Sequence, residues 1–243
     1  MKILILGGTG EGRALAEKLA VDHDIITSLA GATSSAAKII GEVRIGGFGG
    51  EEGLVDYLLA ENIDRLIDAT HPFANQITDH AVQACKKTNI PFLRLDRPQW
   101  TLPTDAKVIF VPDSVEAARL VARTSSSVFL TIGQKYLKDF EALPSVKLLV
   151  RAIENFEENL KLENATYVSA RPPFALADEI ALMQNHQIDT LVSKASGGDA
   201  TRAKLDAAAK IGARIILIRR PPPPNGDRVF RLEDAVNWIS KTL

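Results

Sequence analysis

Short runs of aliphatic and β-branched residues alternate along this chain with longer segments in which apolar residues recur at helical spacing. Residues 3–6 form the first such run and residues 12–20 the first helical segment. In the first half we also predict strands and helices, in chain order, at 25–29, 43–45, 52–60 (helix), 65–67, 75–87 (helix) and 92–95. This alternation is typical of an α/β protein in which helices cover both faces of a parallel sheet.

Residues 97–105 interrupt the pattern with two prolines and no periodicity, so we predict a connection there. The alternation then resumes, with predicted elements at 108–111, 114–123 (helix), 128–131, 146–150, 167–169, 175–185 (helix), 190–192, 201–211 (helix), 214–218 and 232–241 (helix). Four consecutive prolines at 221–224 connect the last strand to the last helix. The sequence therefore predicts two α/β domains with parallel sheets, at residues 1–100 and 101–243.

Composition narrows the class of protein. The 29 Lys and Arg residues against 30 Asp and Glu give a net charge of −1, which argues against a general nucleic-acid binder. Cys85 is the single cysteine, so we expect no disulfide framework and a reducing, cytoplasmic location. No apolar run reaches the length of a membrane span, so we predict no membrane association.

A glycine-rich turn follows the first strand and opens the first helix. Residues 7–12 read Gly-Gly-Thr-Gly-Glu-Gly. Free backbone N–H groups and the helix dipole favour a phosphate at such a position. Arg13 stands where the strict dinucleotide pattern has its third glycine, and a glycine turn without a ligand is the alternative interpretation.

The end of the second strand bears on which nucleotide binds. NAD sites usually have an acidic residue about 20 positions beyond the glycines, for the ribose 2′-hydroxyl. Residues 28–35 contain small and hydroxyl side chains and no acid, and Arg13 or Lys38 could lie nearby. This favours NADPH over NADH.

His71 follows the fourth predicted strand, in the sequence Asp-Ala-Thr-His-Pro-Phe-Ala at residues 68–74. The carboxyl edge of an open α/β sheet binds ligands, so His71 is a candidate acid, base or ligand contact. Ordering of the proline-containing turn is the alternative role. The other three histidines lack metal-ligand spacing, and we predict no metal.

Cations follow several predicted strands of the second half and the end of the first, and residues 193–198, Ser-Lys-Ala-Ser-Gly-Gly, form a second glycine turn that includes Lys194. Such groups suit a ligand with several carboxylates or phosphates. Solvated surface charges are the alternative. The other strand-end cations are Arg94, Arg97, Arg151, Arg171, Arg219 and Arg220.

Six motifs in order resemble the precorrin-6A reductases of corrin (vitamin B12) biosynthesis. The resemblance covers nearly the whole chain, at residues 7–13, 28–31, 44–50, 68–74, 97–100 and 194–198. It implies two Rossmann-like domains that can exchange a strand, with the active site in the cleft between them. It also implies NADPH-dependent reduction of a ring double bond of the tetrapyrrole precorrin-6A, or of its cobalt form, to precorrin-6B, without a metal or flavin cofactor.

On this resemblance, residues 1–100 bind NADPH and residues 101–243 bind the tetrapyrrole. Arg13, Lys194 and His71 are the expected catalytic residues. The expected cofactor contacts are Gly8, Thr9, Gly10, Glu11, Gly12, Ser28, Gly47, Gly49 and Thr70. The expected substrate contacts are Arg97, Arg151, Arg171, Ser196, Gly197 and Gly198.

The chain departs from the family pattern at Ala32, where members often carry arginine, and at Ala195, where they often carry asparagine. The first change affects recognition of the cofactor 2′-phosphate.

Two other functions are alternatives: a nucleotide-sensing regulatory module, and an atypical short-chain reductase. The second is disfavoured because no Tyr-x-x-x-Lys pair occurs. The sequence leaves the oligomeric state open.

Overall fold

A computed structural model describes residues 1–31, 39–153, 162–223 and 225–241. Lys38 and Ala32 lie outside these ranges. The strands are β1 Lys2–Leu6, β2 Asp24–Leu29, β3 Glu42–Ile45, β4 Arg65–Asp68, β5 Phe92–Leu95, β6 Val108–Val111, β7 Ser127–Thr131, β8 Lys147–Ala152, β9 Ala165–Ser169, β10 Thr190–Lys194, β11 Arg214–Ile218 and β12 Asp227–Val229. The α-helices are α1 Gly10–Leu19, α2 Glu51–Ala60, α3 Asn75–Thr88, α4 Ser114–Thr124, α5 Leu176–Asn185, α6 Ala203–Lys210 and α7 Leu232–Lys241.

The chain divides into two units. Unit 1 consists of Met1–Pro98 and Pro221–Leu243, and unit 2 of Gln99–Arg220. Each contains a six-stranded sheet in which all neighbouring strands are parallel. The α/β prediction is confirmed, and each predicted strand and helix exists within a few residues of its expected bounds.

Unit 1 has the strand order β12-β5-β4-β1-β2-β3. Its central strand β1 is buried on both faces, and its side chains alternate between the hydrophobic cores on the two sides of the sheet. Ile3 and Ile5 pack with residues of α1 and α7, whereas Leu4 and Leu6 pack with residues of α2 and α3. The uninterrupted aliphatic run at the start of the sequence is the consequence of this two-sided burial.

Unit 2 has the strand order β6-β11-β10-β7-β8-β9. One face of its sheet packs against α5 and α6, in a core that includes Phe129, Leu191, Leu205 and Ile215. A 3-10 helix at Gln134–Phe140, absent from the prediction, follows β7. In the parts of the chain with described structure, no helix combines the length and apolar character needed to cross a bilayer.

The predicted boundary of residues 101–243 for the second domain is wrong at its C-terminal end. Strand β12 pairs with β5 in unit 1, where the backbone N–H of Asp96 also donates to the carbonyl of Val229 (2.9 Å). Helix α7 then buries Ala235 and Ile239 in the unit 1 core. Pattern analysis missed β12 because it has three residues, two of them charged. The last strand in the sequence thus completes the first sheet, as the implied strand exchange requires.

We predict that Ile239→Ala destabilises unit 1 selectively. Truncating this buried side chain leaves a cavity in the unit 1 core and should cost about 2–5 kcal/mol. Hydrogen exchange followed by mass spectrometry should show faster exchange in peptides from β1, β4 and β5. Leu205→Ala, at a buried position of unit 2, should instead affect peptides from β10 and β11. Faster exchange of unit 2 peptides in Ile239→Ala would contradict this division.

Candidate active site

The strand order of unit 1 creates a junction at the carboxyl edge of its sheet. From β1 the chain adds β2 and β3 on one side, whereas β4 and β5 lie on the other. The loops after β1 and β4 therefore leave this edge side by side, which is where open α/β sheets bind ligands. Thr9 joins the two loops, because its hydroxyl donates to the carbonyl of Ala69 (2.6 Å) and accepts from the N–H of Gly12 (3.0 Å).

The glycines between β1 and α1 divide into a packed pair and an open pair. A Cβ on Gly7 would lie 2.8 Å from Thr27 Cγ2, and one on Gly12 would lie 3.3 Å from Ala69 Cβ. Apart from chain neighbours and the backbone of α1, no heavy atom of the described residues lies within 4 Å of the corresponding position at Gly8 or Gly10, and Gly8 has a φ of +97°. Gly12 therefore provides the close helix packing usually given by the third glycine, and a phosphate could approach the backbone at Gly8 and Gly10.

A buried ion pair orders the loop after β4. Asp68 and Arg94 are both almost inaccessible to solvent, and Arg94 Nη1 lies 2.5 Å from Asp68 Oδ2. Asp68 Oδ1 accepts from both the N–H (2.9 Å) and the hydroxyl (2.7 Å) of Thr70, and Oδ2 accepts from the Thr78 hydroxyl (2.6 Å). Arg94 also donates to the Thr70 carbonyl (3.0 Å). Arg94 is thus a structural cation, which corrects its grouping with the substrate-facing cations.

His71 stands in this ordered loop and is partly buried. Its Nδ1 accepts the backbone N–H of Phe73 (3.2 Å), so in the neutral ring the proton is on Nε2. This is the turn-ordering role that the sequence left as an alternative.

The neighbouring edge, after β2 and β3, carries Ser28 and the glycines of residues 46–50. Arg44 donates to the Ser28 hydroxyl (3.3 Å) and to the carbonyls of Gly46 (2.5 Å) and Gly47 (2.7 Å). Gly49 has a φ of +83° and open space where a Cβ would be. Arg44 belongs to one of the six motifs but has no role among the residues predicted from the sequence; its position near a strand end was the signal that could have indicated one.

The other predicted unit 1 residues lie on α1 and after β5. Arg13 is exposed at the end of the first turn of α1. Glu11 forms an ion pair with Arg97, whose Nη2 lies 2.7 Å from Glu11 Oε2. The predicted cofactor residue Glu11 and the predicted substrate residue Arg97 are therefore in direct contact.

Unit 2 has a junction of the same kind, between β7 and β10. The second glycine turn follows β10, with positive φ at Gly197 (67°) and Gly198 (83°). Two side chains fix this turn. Arg220 donates to the carbonyls of Ala195 (2.7 Å) and Ser196 (2.8 Å), and Trp100 Nε1 donates to that of Gly198 (2.8 Å).

Lys194 is partly buried at the end of β10. Burial and, to a lesser extent, the charge of nearby Lys135 lower the pKa of its ammonium group from 10.5 to about 8. Its Nζ lies 5.6 Å from the centroid of the Tyr136 ring. A lysine with this pKa can release a proton near neutral pH.

The prediction that Arg151 binds substrate is corrected by its burial. Its guanidinium forms a two-point ion pair with the buried carboxylate of Glu179 and stacks 3.7 Å from the centroid of Phe174. Its charge is already compensated and its side chain is only 6% exposed. Arg171, by contrast, is exposed after β9.

Lys204, on the first turn of α6, is a further candidate residue that was not predicted from the sequence. It is buried, and its Nζ lies 5.5 Å from the Trp100 ring centroid. Burial, then the charges of Arg151 and Lys194, lower its pKa to about 7, against an opposing contribution from Glu179. Among the described residues, no three His, Cys, Asp or Glu side chains are grouped closely enough to hold a metal.

Comparisons with known proteins agree on one family. A family model described as "Precorrin-6x reductase CbiJ/CobK" matches residues 2–240. The precorrin-6A reductase of Rhodococcus erythropolis is 43% identical over 98% of this chain and 97% of that protein. The Mycobacterium tuberculosis protein of the same description is 44% identical, with the same coverage.

A solved structure described as "CobK precorrin-6A reductase" superposes with a TM-score of 0.93. It is 38% identical in sequence, and the match covers 99% of this chain and 96% of that one. Relatives described as cobalt-precorrin-6A reductases share between 27% and 31% of their residues with this chain.

We predict that Arg94→Gln destabilises the protein by about 3–5 kcal/mol, because it leaves the buried Asp68 carboxylate without its counter-charge. Arg119→Gln removes an exposed Arg119–Glu116 pair and should cost at most about 1 kcal/mol. Urea denaturation followed by circular dichroism measures both. Equal effects of the two substitutions would refute a structural role for the Asp68–Arg94 pair.

Proposed function

The chain belongs to the precorrin-6x reductase family, and we propose that it reduces one ring double bond of precorrin-6A, using NADPH, to give precorrin-6B in cobalamin biosynthesis. The observation that carries the proposal is the open pair Gly8 and Gly10 at the β1–β4 junction, in a chain with full-length similarity to such reductases. The single, buried cysteine suits a cytoplasmic enzyme.

In this proposal unit 1 binds the nucleotide. The backbone at Gly8 and Gly10 and the start of α1 bind the pyrophosphate, with Thr9 and Gly12 fixing the turn. Ser28, Gly47 and Gly49 line the adenosine side, and Thr70 and His71 stand on the nicotinamide side. Glu11 positions Arg97 through their ion pair.

The reduced nicotinamide, when bound, supplies the hydride for an electron-poor ring carbon. A proton must then reach the adjacent carbon. Lys194 is the proposed donor, because its lowered pKa leaves it protonated at neutral pH yet able to release the proton. Arg13 is proposed to hold a substrate carboxylate or polarise the ring, and positioning by such contacts supplies much of the rate enhancement.

The carboxylate arms of the macrocycle require several cations and N–H donors. Arg171, Arg97 and the N–H groups of the second glycine turn (Ser196, Gly197 and Gly198) are the proposed contacts. Arg151 is left out because Glu179 already neutralises it. We name the metal-free macrocycle because relatives described as precorrin-6A reductases share more of this sequence than those described as acting on the cobalt form.

The test is to mix the purified protein with precorrin-6A and NADPH and follow the visible spectrum of the macrocycle. We expect stoichiometric oxidation of NADPH and a spectral change that requires the protein. The cobalt form should be reduced more slowly. Binding of NADPH without its oxidation in the presence of either macrocycle would overturn the reductase proposal and favour a nucleotide-sensing module.

We predict that the pH profile of kcat depends on Lys194. A proton donor with a pKa near 8 is active below that pH, so the wild-type rate should fall as pH rises through about 8. Lys194→Met should lower kcat by about 10²–10⁴-fold. Lys194→Arg keeps the charge but cannot release a proton at this pH, so it should be nearly as slow.

A matched control is Lys147→Met, at an exposed position of β8, which should leave the profile unchanged. Full activity in Lys194→Arg, with the same pH dependence as wild type, would assign Lys194 to carboxylate binding and remove it as the proton donor.

A further inference from the structure

We propose that Arg44 selects NADPH over NADH by binding the 2′-phosphate of the adenosine ribose. The inference rests on the proposed function, because it concerns the nucleotide of the same site. Arg44 stands sixteen positions beyond Ser28, the first residue of the segment in which the sequence was searched for the source of nucleotide selectivity.

The position of Arg44 follows from strand register. β2 and β3 are parallel, and Ser28 is paired with Arg44 one residue before both strands end. Ser28 also borders the first glycine turn, since its carbonyl accepts the N–H of Gly7 (2.9 Å). In dinucleotide-binding sheets the adenosine ribose lies at the end of the second strand. Arg44 is therefore next to the place where a 2′-phosphate would lie.

The partners of the Arg44 guanidinium in the part of the chain with described structure are neutral groups. Within the ranges that the structure describes, its guanidinium forms no ion pair and donates only to the Ser28 hydroxyl and the carbonyls of Gly46 and Gly47. These bonds use three of its five N–H groups, so two remain for a ligand. A dianionic phosphate would supply the missing negative charge.

Aromatic packing fixes the plane of the guanidinium in advance. Arg44 Cζ lies 3.9 Å from the ring centroid of Phe48 and 5.1 Å from that of Tyr57. Those two rings meet edge to face, with centroids 5.1 Å apart. Gly53 allows this packing, because a Cβ there would lie 1.8 Å from the Phe48 carbonyl oxygen. An arginine held at both its donors and its face loses little entropy on binding a phosphate.

The neighbouring strand end lacks the group that would favour NADH. Residues 28–31 read Ser-Leu-Ala-Gly, so no carboxylate there can accept a bond from a ribose 2′-hydroxyl. Ala32, the next residue in the sequence, carries no charge that could bind a phosphate. Arg44 supplies a cation from the adjacent strand instead.

The experiment compares two nucleotide fragments that differ only in the 2′-phosphate. Adenosine 2′,5′-bisphosphate and adenosine 5′-monophosphate are titrated into wild type, Arg44→Gln and Arg44→Lys by isothermal calorimetry. We expect wild type to bind the bisphosphate about 10- to 100-fold more tightly, as a charged hydrogen-bonded contact implies. Arg44→Gln should lose this preference while its affinity for the monophosphate stays within about two-fold, and Arg44→Lys should keep part of it.

Arg119→Gln, at an exposed arginine of unit 2, is the control and should match wild type. If Arg44→Gln still prefers the bisphosphate, the proposal is overturned. It is also overturned if Arg44→Gln loses affinity for both fragments equally, because Arg44 would then only hold the Gly46 and Gly47 carbonyls. Turnover of precorrin-6A with equal efficiency on NADH and NADPH would refute the role of Arg44 and leave the reductase function intact. Failure of wild type to bind either fragment would overturn both the role of Arg44 and the proposed nucleotide site of unit 1.

Discussion

The buried ion pair between Asp68 and Arg94 is the interaction on which the unit 1 site depends. Removing two charges from water is costly, and the cost is offset only when every lone pair and N–H group near them is satisfied. Here that requirement recruits Thr70 and Thr78, so the loop after β4 has little freedom. The same loop carries His71 and receives the Thr9 hydroxyl from the loop after β1. One electrostatic constraint thus aligns both loops at the carboxyl edge of the sheet.

In unit 2, different interactions hold the loop at the carboxyl edge of the sheet in place. Its glycine turn is held by side chains from other segments. Arg220 donates hydrogen bonds to the carbonyls of Ala195 and Ser196, and Trp100 donates one to the carbonyl of Gly198. The buried charges of this unit, Arg151 with Glu179, neutralise each other and exclude Arg151 from ligand binding. Lys194 and Lys204 remain as cations whose pKa values burial lowers towards neutrality. Unit 2 therefore combines a rigid turn with groups that can exchange protons.

The candidate site could be predicted in part. Glycine and histidine positions at strand ends were found because a parallel sheet places those ends at one edge, whatever the rest of the chain does. The roles of the arginines could not be assigned in this way. Arg94, Arg151 and Arg44 all lie one residue before the end of a strand, yet two form buried ion pairs and one faces neutral acceptors. Whether such an arginine is neutralised depends on partners that are distant in sequence. The position of the arginine at a strand end does not identify those partners.

Local periodicity determined the elements, the parallel α/β class and the two glycine turns, because hydrophobic spacing and turn chemistry act over a few residues. Tertiary structure decided what depends on pairing between distant segments. It placed β12 in the first sheet, where β12 pairs with the edge strand β5, and it placed α7 against the unit 1 core, which buries Ala235 and Ile239. It also showed that Gly12 allows the close packing of helix against strand, although the strict dinucleotide pattern has its third glycine at the position of Arg13. It also separated compensated charges from available ones, because burial and counter-charge are set by the whole fold.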